Sequence, residues 1–184
     1  MPDRIANIII LGEDQEHINL VCRYLLRAGQ NDRAFRRVAL PGNRGCGSQH
    51  VREQFPKQVK ECRGTLGRRT ACLLIVITDA DDLTTAERER TLHAELTREN
   101  EAVLENDEPV VILIPKWQVE TWVKCLLGQA VSEDDRNTDR PSVTPTQIRD
   151  AAQVAFGWAR PNAQVPANCV PSLTAALPRW RRIG

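Results

Sequence analysis

The stretch LLIVITDADD, residues 73–82, sets three acids directly behind a run of branched apolar residues: Asp79, Asp81 and Asp82. A buried strand that surfaces into a polar loop would read this way. So would a metal site, because the residue leaving a strand and the one two positions on can aim at the same side. Other carboxylates share the pattern. Glu13 and Asp14 follow NIIIL, and Glu120 follows PVVILIP by about one turn. Carboxylates crowded together resist ionisation unless a cation neutralises them. Hard oxygen donors at that density suit Mg2+ or Mn2+. Each acid also has a simpler role open to it, since Asp79 and Asp81 could solvate a loop, and Glu13, Asp14 and Glu120 could favour the positive ends of the helices that follow them.

These acids need elements to position them. Ile5 to Leu11 is too continuously apolar for an edge strand and reads as a strand buried on both faces. Ile18, Val21, Cys22, Leu25 and Leu26 then repeat at helical spacing, with Gly29 as the stop. A second strand falls near AFRRVAL, and after the glycine-rich PGNRGCG comes a helix that Ser48 is placed to cap. CLLIVIT is a third strand, Thr84 or Thr85 caps the helix behind it, and PVVILIP is a fourth strand. Val119, Trp122, Val123, Leu126 and Leu127 form another helical stripe, stopped by Gly128. Strand and helix alternate, which predicts an α/β fold with a largely parallel sheet sandwiched by helices. In such a sheet ligands gather at the carboxyl ends of the strands, where all of these acids fall. The expected organisation is one α/β unit over residues 1–130. Residues 131–184 would add a loop, a helix near Gln147–Ala159 and a proline-interrupted tail packed on the same domain. Trp180 and the tail arginines would be a docked terminus or a nucleic-acid patch.

Composition narrows the classes. The 184 residues carry 25 Lys and Arg against 24 Asp and Glu, a formal net charge of +1, so nucleic acid would have to be held by a local patch. No apolar run approaches a membrane span, which predicts a cytoplasmic protein that does not engage a membrane. The six cysteines form no CxxC pair and several fall on apolar stripes, as buried hydrophobes do. Cys46, His50 and Cys62 fit no usual zinc spacing.

With Glu13 after the first strand and Asp79-Ala80-Asp81 after a later one, residues 5–128 resemble TOPRIM domains, the metal-binding module of topoisomerases, bacterial primases and OLD-type nucleases. LPGNRGCGSQHVREQFPKQVKECR, DADDLTTAERERTLHAEL and IPKWQVETWVKCLLG are similar to small standalone TOPRIM-like bacterial proteins suspected in phage defence. The resemblance implies a Rossmann-like TOPRIM architecture and a metal-dependent nuclease, or nuclease subunit, in antiviral defence. Glu13, Asp79 and Asp81 would be the core ligands and Glu120 a further ligand or base, with Asp82 acting from outside. His17 stands where the family carries an acid and could still ligate manganese; otherwise a single metal is expected. Lys116 would stabilise charge on the phosphate, and Arg44, Ser48 and Arg52 could hold a phosphate at the glycine-rich loop, unless that loop merely turns the chain. Arg68 and Arg69 sit at the opposite edge as surface charge.

OLD-type nucleases carry an ATPase. This chain has no nucleotide-binding signature, so a separately encoded ATPase is an expected partner. An aromatic content of 4% leaves few stacking platforms for single strands, and DNA is expected as substrate ahead of RNA. Two alternatives remain. A TOPRIM-like fold could serve as a catalytically idle binding or regulatory subunit. A phosphorelay receiver would also place acids after strand one, an aspartate after strand three and a lysine beside a proline. Between Asp79 and Lys116, however, there is room for one helix and one strand, where a receiver needs more.

Overall fold

The computed structural model describes residues 5–40, 46–65, 72–134 and 142–184. Arg44, Arg68 and Arg69 lie outside them. The strands are β1 (Asn7–Gly12), β2 (Phe35–Arg37), β3 (Cys72–Ile77) and β4 (Val110–Leu113). The helices among the described residues are α1 (Gln15–Arg27), α2 (Gly47–Arg63), α3 (Thr85–Arg98), α4 (Val119–Leu126), α5 (Pro145–Trp158) and α6 (Pro171–Arg181). All strand pairs are parallel, in the order β2-β1-β3-β4, so the fold is α/β and Rossmann-like.

The apolar runs are continuous because both faces of the sheet are covered. Successive side chains go to opposite faces. Ile8, Ile10, Ile75 and Ile77 join the core beneath α1, α4, α5 and α6, while Ile9, Leu11, Leu74 and Val76 join the one beneath α2 and α3. β1 and β3 are the inner strands, and their pairing runs to Gly12 opposite Ile77. Whatever follows Gly12 and Ile77 therefore emerges side by side. Strand order also reverses here, since the chain leaves β1 toward β2 and returns to β3 on the other side. A crevice at the carboxyl ends of such strands is where open α/β sheets bind ligands.

Several boundaries differ from the sequence expectation, each for a local reason. β2 is only Phe35–Arg37, an edge strand whose Arg36 and Arg37 are exposed, and charge on an edge discourages further pairing. Leu26 is exposed while Leu20 and Tyr24 are buried, so the buried stripe of α1 is rotated from the one read. α2 starts at Gly47 with Cys46, not Ser48, at its N-cap. α3 stops at Arg98, because Asn100 takes the left-handed region at φ 58°. Thr84 caps α3 and Thr144 caps α5, each in a capping box with the Glu or Gln three residues on.

The tail folds as α6. Trp180 is fully buried against Tyr24, ring centroids 4.4 Å apart, and near Trp122 at 6.5 Å, which makes it part of a docked terminus. Val170, the N-cap of α6, offers no side-chain acceptor; the Glu133 carboxylate supplies one from afar. It accepts from the Ser172 N–H at 3.0 Å and from the Ser172 hydroxyl, whose oxygen in turn accepts from Trp122 Nε1 at 2.6 Å. Trp122 therefore serves the core, and Trp117 donates to the Glu133 carbonyl at 3.0 Å. Among the described residues no helix is long and apolar enough to cross a membrane.

Candidate acidic site at the carboxyl edge of the sheet

Because β1 and β3 end in register, Glu13 and Asp79 meet. The Asp79 N–H donates to Glu13 Oε1 at 3.0 Å, and the Thr78 hydroxyl donates to the same oxygen. On its other side Glu13 is pressed by α2, where Gly47 comes so close that a Cβ would stand 2.8 Å from the Glu13 carbonyl oxygen. Burial, with the charge of Asp79 added, raises the Glu13 carboxyl from the usual 4.5 to about 7, against the hydrogen bonds that favour its charged form.

His17, one turn into α1, lies under this pair and is 1% exposed. Its Nδ1 is 2.6 Å from Asp14 Oδ1 and its Nε2 is 2.9 Å from Asp79 Oδ1. A ring with a carboxylate oxygen at each nitrogen is held as imidazolium, since both nitrogens then donate. Burial opposes that charge, but Asp79 and the bonds to both acids outweigh it and lift His17 well above its usual value. Burial pushes the Asp79 carboxyl up against the pull of His17, whereas in the more exposed Asp14 the bonds with His17 overcome burial and lower it. Asp14 has a second task, accepting from the His17 N–H at 3.0 Å as the N-cap of α1. Glu120, in the first turn of α4, is half-buried; burial raises its carboxyl, and Asp14 and Asp79 add to the effect.

Asp81 is near enough for its charge to act on Asp79, but its carboxylate is bonded elsewhere. The strand has ended by Ile77, and Asp81 turns into the left-handed region at φ 53°, so alternation no longer sets its direction. Its carboxylate lies 3.0 Å from the guanidinium of Arg88, a 5% exposed residue of α3 that also donates to the Ala80 carbonyl at 3.3 Å. Lys116 clasps the same turn, donating to the Asp81 carbonyl at 2.7 Å and the Leu83 carbonyl at 2.8 Å with its ammonium 3.9 Å from the centre of the Trp117 ring. As placed, Lys116 holds the protein's own loop. Asp82 is exposed within the same turn.

The structure thus brings together Glu13, Asp79, His17 and Glu120 and adds Asp14, Thr78 and Gly47. Ser48 and Arg52 lie on α2, whose N-terminus reaches the site, and the Ser48 hydroxyl sits 3.2 Å from Cys46 Sγ, which lowers that exposed thiol. Cys46 and Cys62 stand at opposite ends of α2, about 24 Å apart at the helical rise, so they cannot share a metal with His50. Among the described residues, no three or more His, Cys, Asp and Glu side chains are grouped so as to hold a metal ion. Asp79 is bonded to His17 and Asp81 to Arg88. Sequence spacing missed Arg88 because it is polar within a helix rich in charge. Thr78 was visible as the residue before Asp79 but carried no signal of its own. Compared with protein-family models, curated proteins and solved structures, the chain finds no match.

Proposed function

We propose that the chain is a nucleic-acid phosphodiesterase of the TOPRIM type, a nuclease or the nuclease subunit of an antiviral assembly with a separately encoded ATPase, working with Mg2+ or Mn2+ on DNA. One observation carries this: Glu13 and Asp79 leave the two inner strands and meet in the crevice at their carboxyl ends, with the Asp79 N–H on Glu13 at 3.0 Å. The donors of Glu13, Asp79, Asp81 and Glu120 fit a hard divalent cation in kind. Glu13, buried beside Asp79 and raised to about 7, has no ion-pair partner among the described residues, and such a cation would supply one. Bound there, the cation would activate water and offset charge on the phosphate oxygens.

The chain's own groups have separate tasks. Thr78 and the Asp79 N–H fix the Glu13 carboxyl, and His17 fixes that of Asp79. Glu120, its proton affinity raised by burial, is suited to take a proton from water. Lys116 positions the 81–83 turn.

The alternative is a TOPRIM-like binding or regulatory subunit without chemistry. It is favoured by the cations already set against both aspartates, His17 at Asp79 and Arg88 at Asp81. Calorimetric titration with Mn2+, paired with a Mn2+-dependent cleavage assay on duplex DNA, decides between the two. Micromolar binding and cleavage, both lost in a folded Asp79→Ala variant, are the expected results. Cleavage that survives in the purified variant overturns the acidic-edge mechanism, and a wild type that takes up no Mn2+ overturns the metal-dependent nuclease and leaves the binding subunit.

A further inference from the structure

Four of the six cysteines meet in two pairs. Cys62, near the end of α2, hydrogen-bonds thiol to thiol with Cys72 at the start of β3, and Cys125 of α4 does the same with Cys169, which stands just before α6. The second contact follows from how α6 docks. Trp122 and Cys125 lie one turn apart on α4, and Cys169 and Ser172 are spaced equally where the chain enters α6. Trp122 Nε1 donates to Ser172 Oγ at 2.6 Å, and one turn further along α4 Cys125 faces Cys169, so the two segments run past each other in opposite directions. Each sulfur is held where it is: Glu133 grips Ser172 from the other side, and the Cys169 N–H closes a turn on the Pro166 carbonyl at 3.0 Å. Access separates the pairs. Cys62 and Cys72 are 1% and 4% exposed, whereas buried Cys125 lies behind a Cys169 that is partly exposed. Exchange with a disulfide in solution needs an accessible sulfur to attack and a second one in contact to resolve, and among these four thiols the Cys125–Cys169 pair supplies both.

We propose that Cys125 and Cys169 form a redox-controlled staple, in which a small-molecule disulfide of the glutathione type converts the two thiols into a bond that ties the entry of α6 to the end of α4. The Cys169 thiolate attacks one sulfur of the oxidant and expels the other as a thiolate, leaving a mixed disulfide. The Cys125 thiolate then attacks Cys169 Sγ and expels the second small thiol. Two protein thiols are oxidised, one small disulfide is reduced to two thiols, and the two cysteine protons end on those products. The new bond closes a loop containing α5, which packs on α1 and α4, so oxidation fastens the carboxyl-terminal helices to the sheet layer by restricting the unfolded chain. Under reducing conditions the pair stays open. The staple goes beyond the proposed nuclease and does not depend on it.

The test uses the full chain, incubated with oxidised glutathione at about pH 8.5, where thiolates are more plentiful, and then mapped by alkylation and peptide mass. The expected result is a Cys125–Cys169 cross-link with Cys62 and Cys72 still alkylated as thiols. The linked protein should melt about 5–10 °C higher, and dithiothreitol should reverse both changes. Burial, with Cys125 and Glu133 adding to it against the bond from Thr174, holds the Cys169 thiol up at about 11, so cross-linking should quicken as pH rises toward that value. Cys169→Ser and Cys125→Ser should each abolish the cross-link and the gain while melting in dithiothreitol close to the reduced wild type. A glutathione that stays on Cys169 unresolved, a cross-link that forms only after denaturation, or a linked protein that melts no higher than the reduced one overturns the staple.

Discussion

Replacing Glu13 with Gln should stabilise the protein at alkaline pH and leave it unchanged at acid pH. In the folded chain Glu13 holds its proton up to about 7, against an ordinary 4.5, chiefly because it is buried and then because Asp79 stands beside it. The folded state therefore binds more protons than the unfolded state between those values, and wild-type stability falls as pH rises through that window. One pH unit is worth about 1.4 kcal/mol, which sets a ceiling of about 3 kcal/mol; partial access of water to Glu13 brings the expected gain of Glu13→Gln to about 2 kcal/mol at pH 8. Gln retains an oxygen to accept from the Asp79 N–H and the Thr78 hydroxyl, so the contacts survive the change. The assay is urea denaturation of both proteins in chelator across roughly pH 4 to 8.5. His17 and Asp79 are present in both, so the difference between the two curves reports Glu13 together with its coupling to Asp79. A difference that does not vary with pH, or a variant less stable than wild type at pH 8, would refute the view that Glu13 is an uncompensated buried acid. Mn2+ in place of chelator should shrink the gap, since a cation supplies the missing charge.

Gly47→Ala places a methyl 2.8 Å from the Glu13 carbonyl oxygen and 2.9 Å from the Glu13 Cβ, neither of which can swing aside. A loss of about 1–3 kcal/mol in a thermal melt, accompanied by weakened Mn2+ binding, is expected; an unchanged melting temperature would mean that α2 has room to withdraw. Ser172→Ala strips the Trp122 N–H of its acceptor and the Glu133 carboxylate of a donor, and about 2 kcal/mol should be lost in a denaturant titration. A neutral result would show that the Ser172 hydroxyl bridge between Trp122 and Glu133 adds nothing to stability.

What was legible in the sequence was whatever burial imposes on pattern. NIIIL and CLLIVI are inner strands covered on both faces, and a parallel α/β sheet follows from their alternation with helical stripes. The pairing of Glu13 with Asp79 was legible for the same reason, since each directly follows such a run. Asp81 was not. Reading it as a partner of Asp79 assumed two-residue alternation past the end of the strand, and a left-handed φ of 53° takes it instead to a guanidinium. Lys116 was placed at the correct edge, but which carbonyls would take its protons depends on the height of the neighbouring turn, which composition does not encode. Helix α6 was hidden by its prolines and by a cap that comes from Glu133, far away in sequence.

The balance of charge at this edge bears on whether it is a relic or a site. Arg88 and Asp81 cancel one another, but Asp14 and Asp79 share a single imidazolium, so that trio remains negative with Glu120 beside it. Glu13 is then buried against Asp79 with no ion-pair partner among the described residues. Each of these arrangements costs stability, and an amide or an apolar side chain of similar volume would relieve the cost. None of them is required for the cores, which close beneath the strands on either face without help from these acids. Groups whose proton affinities are raised together, in a crevice at the switch point of a parallel sheet, mark functional sites more often than structural ones. The cost and the location both favour a site that acquires positive charge from outside, and the pH dependence of Glu13→Gln measures that deficit without presuming what fills it.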